Sequence, residues 1–271
     1  MQSVLSIAGS DPTGGAGLQA DCQVLRAFGV HAAAVPTALT IQDGLRVRQV
    51  LPCFPSVLLD TLRATLDAIQ PSAIKIGMLA TDDVVRNVLL ALAPYPEIPV
   101  VIDPVLAASD GTSLLESRAQ PALRDLIHGR TLLTPNWPEA EILTKRSLAR
   151  RRDAEDAARE LVEDLKLEGL LLKGGHREGD ADDLLVLRPK PAGKDPIAEG
   201  GESLRVEWLP GARLPGGPVH GTGCALSAAI AARLAHGDPL YDAVVAARAY
   251  VRHAITNAKT LGNGARILDF A

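Results

Sequence analysis

Two rhythms of hydrophobic and polar positions run through the chain. Short apolar runs at residues 4–8 (V-L-S-I-A), 47–53, 73–78, 100–105, 131–134, 170–173 and 184–187 read as strands. Another apolar run, residues 30–39, leads into T-A-L-T-I-Q-D-G. Between the runs the spacing turns helical. Leu18, Cys22 and Leu25 share one helix face, as do Leu58, Leu62 and Leu66. Residues 226–236 and 241–258 read as two Ala-rich helices separated by Gly237-Asp238-Pro239, a stop-and-turn signal. Strands separated by amphipathic helices predict a mainly parallel sheet with helices on both faces. Residues 189–201 are rich in Pro, Gly and charge, and read as a hairpin excursion rather than a linker. With no internal repeat, residues 1–271 are expected to form one domain.

Composition narrows the picture. Hydrophobic residues make up 47% of the 271 but aromatics only 3%, so Ala, Leu and Val must fill the core. A formal net charge of −4 gives no general electrostatic reason to bind nucleic acid or an anionic membrane. The basic cluster at residues 145–152 reads as a solvated helix start or loop. Cys22, Cys53 and Cys224 are an odd number at wide spacing, which disfavours disulfides and suits a reducing compartment. The N-terminus lacks a basic, then apolar, leader pattern, and no stretch reaches the ~20 apolar residues of a membrane helix. A cytoplasmic protein is expected.

The candidate chemistry sits in loops after the strands, where open parallel sheets bind ligands. Residues 9–17, G-S-D-P-T-G-G-A-G, follow the first strand. Gln42 and Asp43, Gly77-Met78, Asp103-Pro104, Asn136 with Glu139, and Lys173-Gly174-Gly175-His176 follow others. Residues 215–230 run from a Gly-rich turn straight into a small-residue helix. Gly221 and Gly223 there let backbone amides approach a ligand, and the helix N-terminus favours an anion. Cys224 lies in its first turn, where a thiol is expected to ionise more readily than a free one. Gly15-x-Gly17-x-x-Ala20 is a weak match to a dinucleotide fingerprint, because its loop is long and Asp11 and Asp21 would sit near a pyrophosphate without a cation to offset them. No G-x-x-x-x-G-K-[ST] phosphate loop occurs.

The strings S-I-A-G-S-D-P-T-G-G-A-G-L-Q-A-D, T-A-L-T-I-Q, K-I-G-M-L, I-D-P-V, T-P-N-W-P-E-A, L-L-K-G-G-H and H-G-T-G-C-A-L-S-A-A span nearly the whole chain. Together they resemble the ribokinase-like kinases, and more closely the hydroxymethylpyrimidine/phosphomethylpyrimidine kinase family of thiamine biosynthesis. The first and last strings are the specific ones. The resemblance implies a three-layer α/β/α fold around a central, mostly parallel sheet. It implies ATP- and Mg2+-dependent phosphorylation of a pyrimidine hydroxymethyl group and then of the resulting phosphate, by a homodimer. It assigns the amides of Gly221, Thr222, Gly223 and Cys224 to the transferring phosphoryl group, with Cys224 at the base position. Asp21, Gln42 and Met78 would surround the pyrimidine, with Ala16 and Val105 as apolar wall. Lys173, Asn136, Thr222 and Gly223 would serve ATP, and Glu139 and Asp103 the metal.

Several residues keep a second reading. Asp21 also suits the first turn of a helix, Met78 the core, Asp103 a turn before proline, and Lys173 a strand end in solvent. The sequence departs from the family after D-P-V. L-A-A-S-D-G stands where many members carry Met and Lys-Ser-Gly, and Asp43 stands where many have Asn. A pyridoxal kinase and a non-catalytic pyrimidine sensor are the competing functions.

Overall fold

The computed structural model describes residues 1–176, 179–189 and 203–270. The putting-out of a hairpin at residues 189–201 falls almost wholly outside the described residues. The chain divides into two compact units, residues 1–126 with 214–271, and residues 127–213.

In the first unit β1 (Ser3–Ser10) leads through the Gly-rich loop into α1 (Gly17–Ala27) and back to β2 (His31–Gln42). Then come β3 (Val47–Pro52), α2 (Pro55–Ile69), β4 (Ala73–Ile76), α3 (Asp82–Leu92), β5 (Val100–Ile102) and α4 (Gln120–Ile127), which ends at the unit boundary. The strands lie in the order β3-β2-β1-β4-β5. β1 pairs parallel with β2 and β4, and β4 pairs parallel with β5. The β2–β3 pair is antiparallel, a hairpin at the sheet's edge within the otherwise parallel set. β1 and β4 are buried on both faces, including the polar Ser6 and Lys75 within their apolar runs.

The second unit carries β6 (Leu132–Leu133), α5 (Trp137–Thr144), α6 (Arg151–Asp164), β7 (Gly169–Leu172), β8 (Asp183–Leu187) and β9 (Arg205–Leu209), ordered β6-β7-β8-β9. β6–β7 is parallel; β7–β8 and β8–β9 are antiparallel. The basic cluster spans the left-handed C-cap of α5 at Lys145 and the start of α6, a surface connection as expected.

The chain then returns to the first unit as α7 (Thr222–Ala235), α8 (Leu240–Thr256) and the short antiparallel pair β10 (Lys259–Thr260) and β11 (Arg266–Ile267). α7 starts earlier than its apolar pattern shows. Nine of its residues are buried, seven of them Ala or Ser, so small side chains let it pack closely on α1, α8, β1, β4 and β5. No helix among the described residues is long and apolar enough to cross a membrane.

Candidate active site

The loop between β1 and α1 is held by one carboxylate. Asp11, 1% exposed, accepts hydrogen bonds at Oδ1 from the Thr13 backbone N–H and hydroxyl (both 2.9 Å), and at Oδ2 from the Ala16 N–H (2.9 Å). His220 Nε2 lies 2.9 Å from the same Oδ2. Burial pushes the Asp11 carboxyl up, but the bonds from His220 and Thr13 outweigh it and hold it below its ordinary value. Asp11 thereby ties the N-terminal loop to the turn that opens α7, 209 residues away in sequence.

That turn requires glycine. Gly221 is the N-cap of α7 at φ +84°, and a Cβ there would stand 1.7 Å from the Gly15 carbonyl oxygen. Gly17, at φ +57°, would bring a Cβ within 2.3 Å of the Gly9 carbonyl oxygen. The two Gly-rich loops therefore pack backbone to backbone. Among the described residues no side chain caps α7, so the first-turn amides of Thr222, Gly223 and Cys224 are offered to an anion.

The Cys224 sulfur receives the Gly17 backbone N–H, placing it at the openings of both α1 and α7. Both helix ends favour a thiolate, as the sequence led us to expect, yet the balance goes the other way. Burial is the largest influence, and with the charges of Asp21 and Asp103 it outweighs Lys75 and the Gly17 amide, pushing the thiol up to about 11. The expectation of an easily ionised Cys224 is corrected: around neutral pH it is a thiol. A small part of its surface still meets solvent. Cys22 and Cys53 are also free, with their thiols raised chiefly by burial.

Beside the sulfur lies a sealed pair. Lys75 Nζ on β4 is 2.6 Å from Asp21 Oδ2 on α1, and the Ser6 hydroxyl on β1 donates to the same oxygen at 2.6 Å. All three residues are fully buried, and among the described residues Asp21 Oδ1 has no hydrogen-bond partner. The two partners pull in opposite senses. Burial raises the Asp21 carboxyl towards neutrality, whereas for Lys75 the charge and hydrogen bond of Asp21, with Asp103 and, once it ionises at high pH, Cys224, overcome burial and raise the ammonium. We read the pair as ionised, because a charged Lys75 sealed against a neutral acid would leave an ammonium uncompensated. Asp103, 3% exposed at the end of β5, adds to the same field. Asp21 is thus spent largely inside the protein, and only its Oδ1 is open to a further partner.

The other first-unit candidates lie along β2, β4 and β5. Met78, 8% exposed, packs with Ala38, Ala80 and Leu114, and Val105 lies against this cluster. A Cβ at position 9 would fall 2.5 Å from Met78 Cε, so the end of the Met78 side chain would have to shift to admit one. The Thr37 hydroxyl fixes the Met78 carbonyl at 2.6 Å. Ala16 is the N-cap of α1. Gln42 ends β2, half-buried, with its Nε2 donating to Thr40 Oγ1 at 2.7 Å. Asp43 turns the chain by accepting from the Leu45 and Arg46 amides. In the divergent 106–111 segment, Asp110 accepts the Val47 N–H at 2.9 Å and so closes that loop on β3.

Within the second unit, Asn136 and Glu139 form a reciprocal capping box on α5. Asn136 Oδ1 accepts the Glu139 N–H (2.9 Å), and Glu139 Oε2 accepts the Asn136 N–H (2.7 Å). The N-W-P-E spacing contained that signal. Lys173 ends β7 beside Asn136, bridged through its backbone and with its N–H on the Pro135 carbonyl at 2.8 Å. Among the described residues no group of three or more His, Cys, Asp or Glu is arranged to hold a metal. The structure therefore groups Asp21, Asp103 and Cys224 in one unit, and Asn136, Glu139 and Lys173 in the other. Sequence reasoning assigned no role to Lys75 or to the Asp11–His220 tie. A lysine inside the apolar strand A-I-K-I was the readable signal for the first.

Comparison with known proteins agrees with the motifs. Residues 11–269 match the family described as Phosphomethylpyrimidine kinase. The chain is 34% identical over 268 residues to the hydroxymethylpyrimidine/phosphomethylpyrimidine kinase of Aquifex aeolicus, covering 98% of this chain and 99% of that one. It is 36% identical over 264 residues to the thiamine biosynthesis bifunctional protein ThiED of Geobacter sulfurreducens, covering 97% of this chain but spanning only about half (51%) of that longer protein. Among solved structures, phosphomethylpyrimidine kinase from Clostridium difficile superposes with a TM-score of 0.78 at 31% identity, over 94% of this chain and 100% of that one. An ADP complex of Bacillus subtilis pyridoxal kinase superposes with a TM-score of 0.84 at 28% identity, over 100% and 97%. The fold is accordingly ribokinase-like, a mostly parallel sheet flanked by helices, and the chain belongs to the phosphomethylpyrimidine kinase family.

Proposed function

We propose that this protein is an ATP-dependent kinase that phosphorylates 4-amino-5-hydroxymethyl-2-methylpyrimidine and then its monophosphate, in thiamine biosynthesis. The observation that carries the reading is the uncapped turn at Gly221–Cys224, packed on the Gly-rich loop after β1, with Cys224 beside Lys75, Asp21 and Asp103. Phosphoryl transfer needs positioning and charge neutralisation more than covalent help. The Thr222, Gly223 and Cys224 amides supply donors to the equatorial oxygens of the phosphoryl group. Cys224 keeps the position the family gives a base, but as a neutral thiol it orients the substrate alcohol by hydrogen bonding. The buried Lys75 ammonium offsets negative charge that develops near the sulfur. Gln42, Met78, Val105 and Ala16 receive the ring, and Asp21 Oδ1 is the one acceptor of that carboxylate left for it.

Lys173 and Asn136 are assigned to ATP. Mg2+ is assigned to ATP phosphates with support from Glu139 and Asp103. The donor chemistry fits, since a hard cation takes carboxylate oxygen and keeps several waters. The metal, when bound, neutralises phosphate charge, while the capping box holds the Glu139 carboxylate in place for it. A homodimer is the proposed assembly. Leu39, Ile41 and Leu51 on the edge hairpin, and Phe54 (79% exposed) and Val57 beside it, present apolar surface that a second copy would cover. Three free cysteines suit a cytoplasmic location.

An ADP-release assay tests the function. Turnover with hydroxymethylpyrimidine and its monophosphate, well above that with pyridoxal, is the expected result. Preference for pyridoxal would select the vitamin B6 reading that the Bacillus subtilis neighbour favours, and tight pyrimidine binding without ADP would select a sensor.

A further inference from the structure

Gln42 sits where one side-chain amide can accept or donate, depending on which way round it lies. The surrounding hydrogen bonds decide that question. The ladder between β1 and β2 shifts register between Ala8 and Ser10, and the Ser10 carbonyl meets the Thr40 hydroxyl at 2.8 Å. A carbonyl oxygen only accepts, so the single Thr40 hydroxyl proton is committed to Ser10. Thr40 Oγ1 can then only accept from Gln42, and the group facing it at 2.7 Å must be the NH2 end of the amide. Donor and acceptor capacity alone thus fixes which way round the amide lies. The Gln42 carbonyl oxygen is the end left over, and among the described residues it has no hydrogen-bond partner.

The placement suits ring recognition. Ala38 and Thr40 share a face of β2, and Ala38 packs in the cluster that holds Met78 with Val105 against it. The β2–β3 ladder shifts between Ile41 and Gln42, and the Gln42 side chain turns back onto Thr40. An apolar wall thus lies on the face of β2 that holds the amide in a single orientation.

We propose that Thr40 is a positioning residue that fixes the polarity of the Gln42 amide, so that the site takes a heteroaromatic ring bearing an amine beside its hydroxymethyl group and disfavours one bearing an oxygen acceptor there. This rests on the reading of Gln42 as a ring contact. The aminopyrimidine carries an N–H donor at that ring position, whereas pyridoxal carries a formyl oxygen, which would meet the Gln42 carbonyl acceptor to acceptor. A buried group left without its partner is costly, which is why hydrogen-bonding sites discriminate strongly.

The test compares kcat/KM for the aminopyrimidine, its 4-oxo counterpart and pyridoxal, in wild type, Thr40→Val and Thr40→Ser. Valine keeps the shape but removes both hydrogen bonds, leaving Gln42 free to turn over. The ratio of amino to 4-oxo substrate should fall about tenfold or more in Thr40→Val, by a loss on the amine and a gain on the oxo ring, and stay near wild type in Thr40→Ser. A purely structural Thr40 would lower both substrates together and leave the ratio unchanged, which overturns the proposal. If circular dichroism shows Thr40→Val unfolded, Thr40→Cys takes its place, since a thiol is a poor acceptor of similar size, and the same fall in ratio is required. A wild-type enzyme that prefers pyridoxal would instead overturn the substrate reading itself, whereas wild-type preference for the amine with an unchanged ratio in Thr40→Val overturns the role of Thr40 alone.

Discussion

Asp11 and Asp21 stand ten residues apart on either side of one helix opening, each facing a basic side chain, and they behave in opposite ways. Asp21 is sealed with Lys75 and Ser6, and burial raises its carboxyl. Asp11 exposes as little surface but lies under less protein, and its four hydrogen bonds hold its carboxyl down. Depth of burial and the number of donors to the charge together decide the balance. The well-solvated-by-protein acid fastens two loops together. The poorly satisfied one keeps an oxygen open and sets the field at Cys224.

The largest effect should come from breaking the sealed pair. Lys75→Met leaves Asp21 buried without its counter-charge and should cost about 3–5 kcal/mol in urea unfolding. The double variant Asp21→Asn/Lys75→Met should recover much of that loss. A Lys75→Met protein as stable as wild type would mean the pair carries no charge. Next comes Asp11→Asn, which should cost about 1–3 kcal/mol by weakening charge-assisted bonds to Thr13, Ala16 and His220. Because the Asp11 carboxyl is depressed in the folded state, its contribution is present above the ordinary carboxylate range and is lost as pH falls through the lower folded value. Unfolding curves of wild type and Asp11→Asn should therefore converge in acid, and a gap that persists there would contradict the assignment.

How far these features were legible in the sequence follows the same physics. Strand, Gly-rich loop and helix at the N-terminus, and the turn before α7, were readable because glycines and periodic apolar positions act locally. Lys75 stood out as a lysine in an apolar strand, but its role was not legible because its partner lies 54 residues away. Cys224 was read wrongly because a helix N-terminus is visible in sequence, whereas depth of burial and the charges of Asp21 and Asp103 are products of packing. Glu139 was read only as metal support, although its spacing from Asn136 also spelled a capping box. β3 was legible as a strand, but its antiparallel pairing with β2 is a tertiary feature that no local pattern shows, and the two-residue strands β10 and β11 are too short for periodicity to register.

Smaller effects separate the two acids further. His220→Gln keeps a donor within reach of Asp11 and should cost about 1 kcal/mol or less. Its signature should be a raised KM for the pyrimidine with stability nearly unchanged; a variant with wild-type KM would show that the tie does not position the loop. At high pH the raised Cys224 thiol contributes stability that is complete below the ordinary thiol range and disappears as pH rises through about 11. Cys224→Ala should flatten that alkaline loss, a difference visible only in titrations beyond about pH 9.

The most direct test of a substrate alcohol held at the opening of α7 is mass-spectrometric mapping of iodoacetamide alkylation at pH 9, with and without hydroxymethylpyrimidine, using Cys53 as the internal reference. Slow modification of Cys224, made slower still by the pyrimidine while Cys53 is unaffected, is the predicted result. Rapid modification of Cys224 that the pyrimidine leaves unchanged would contradict it.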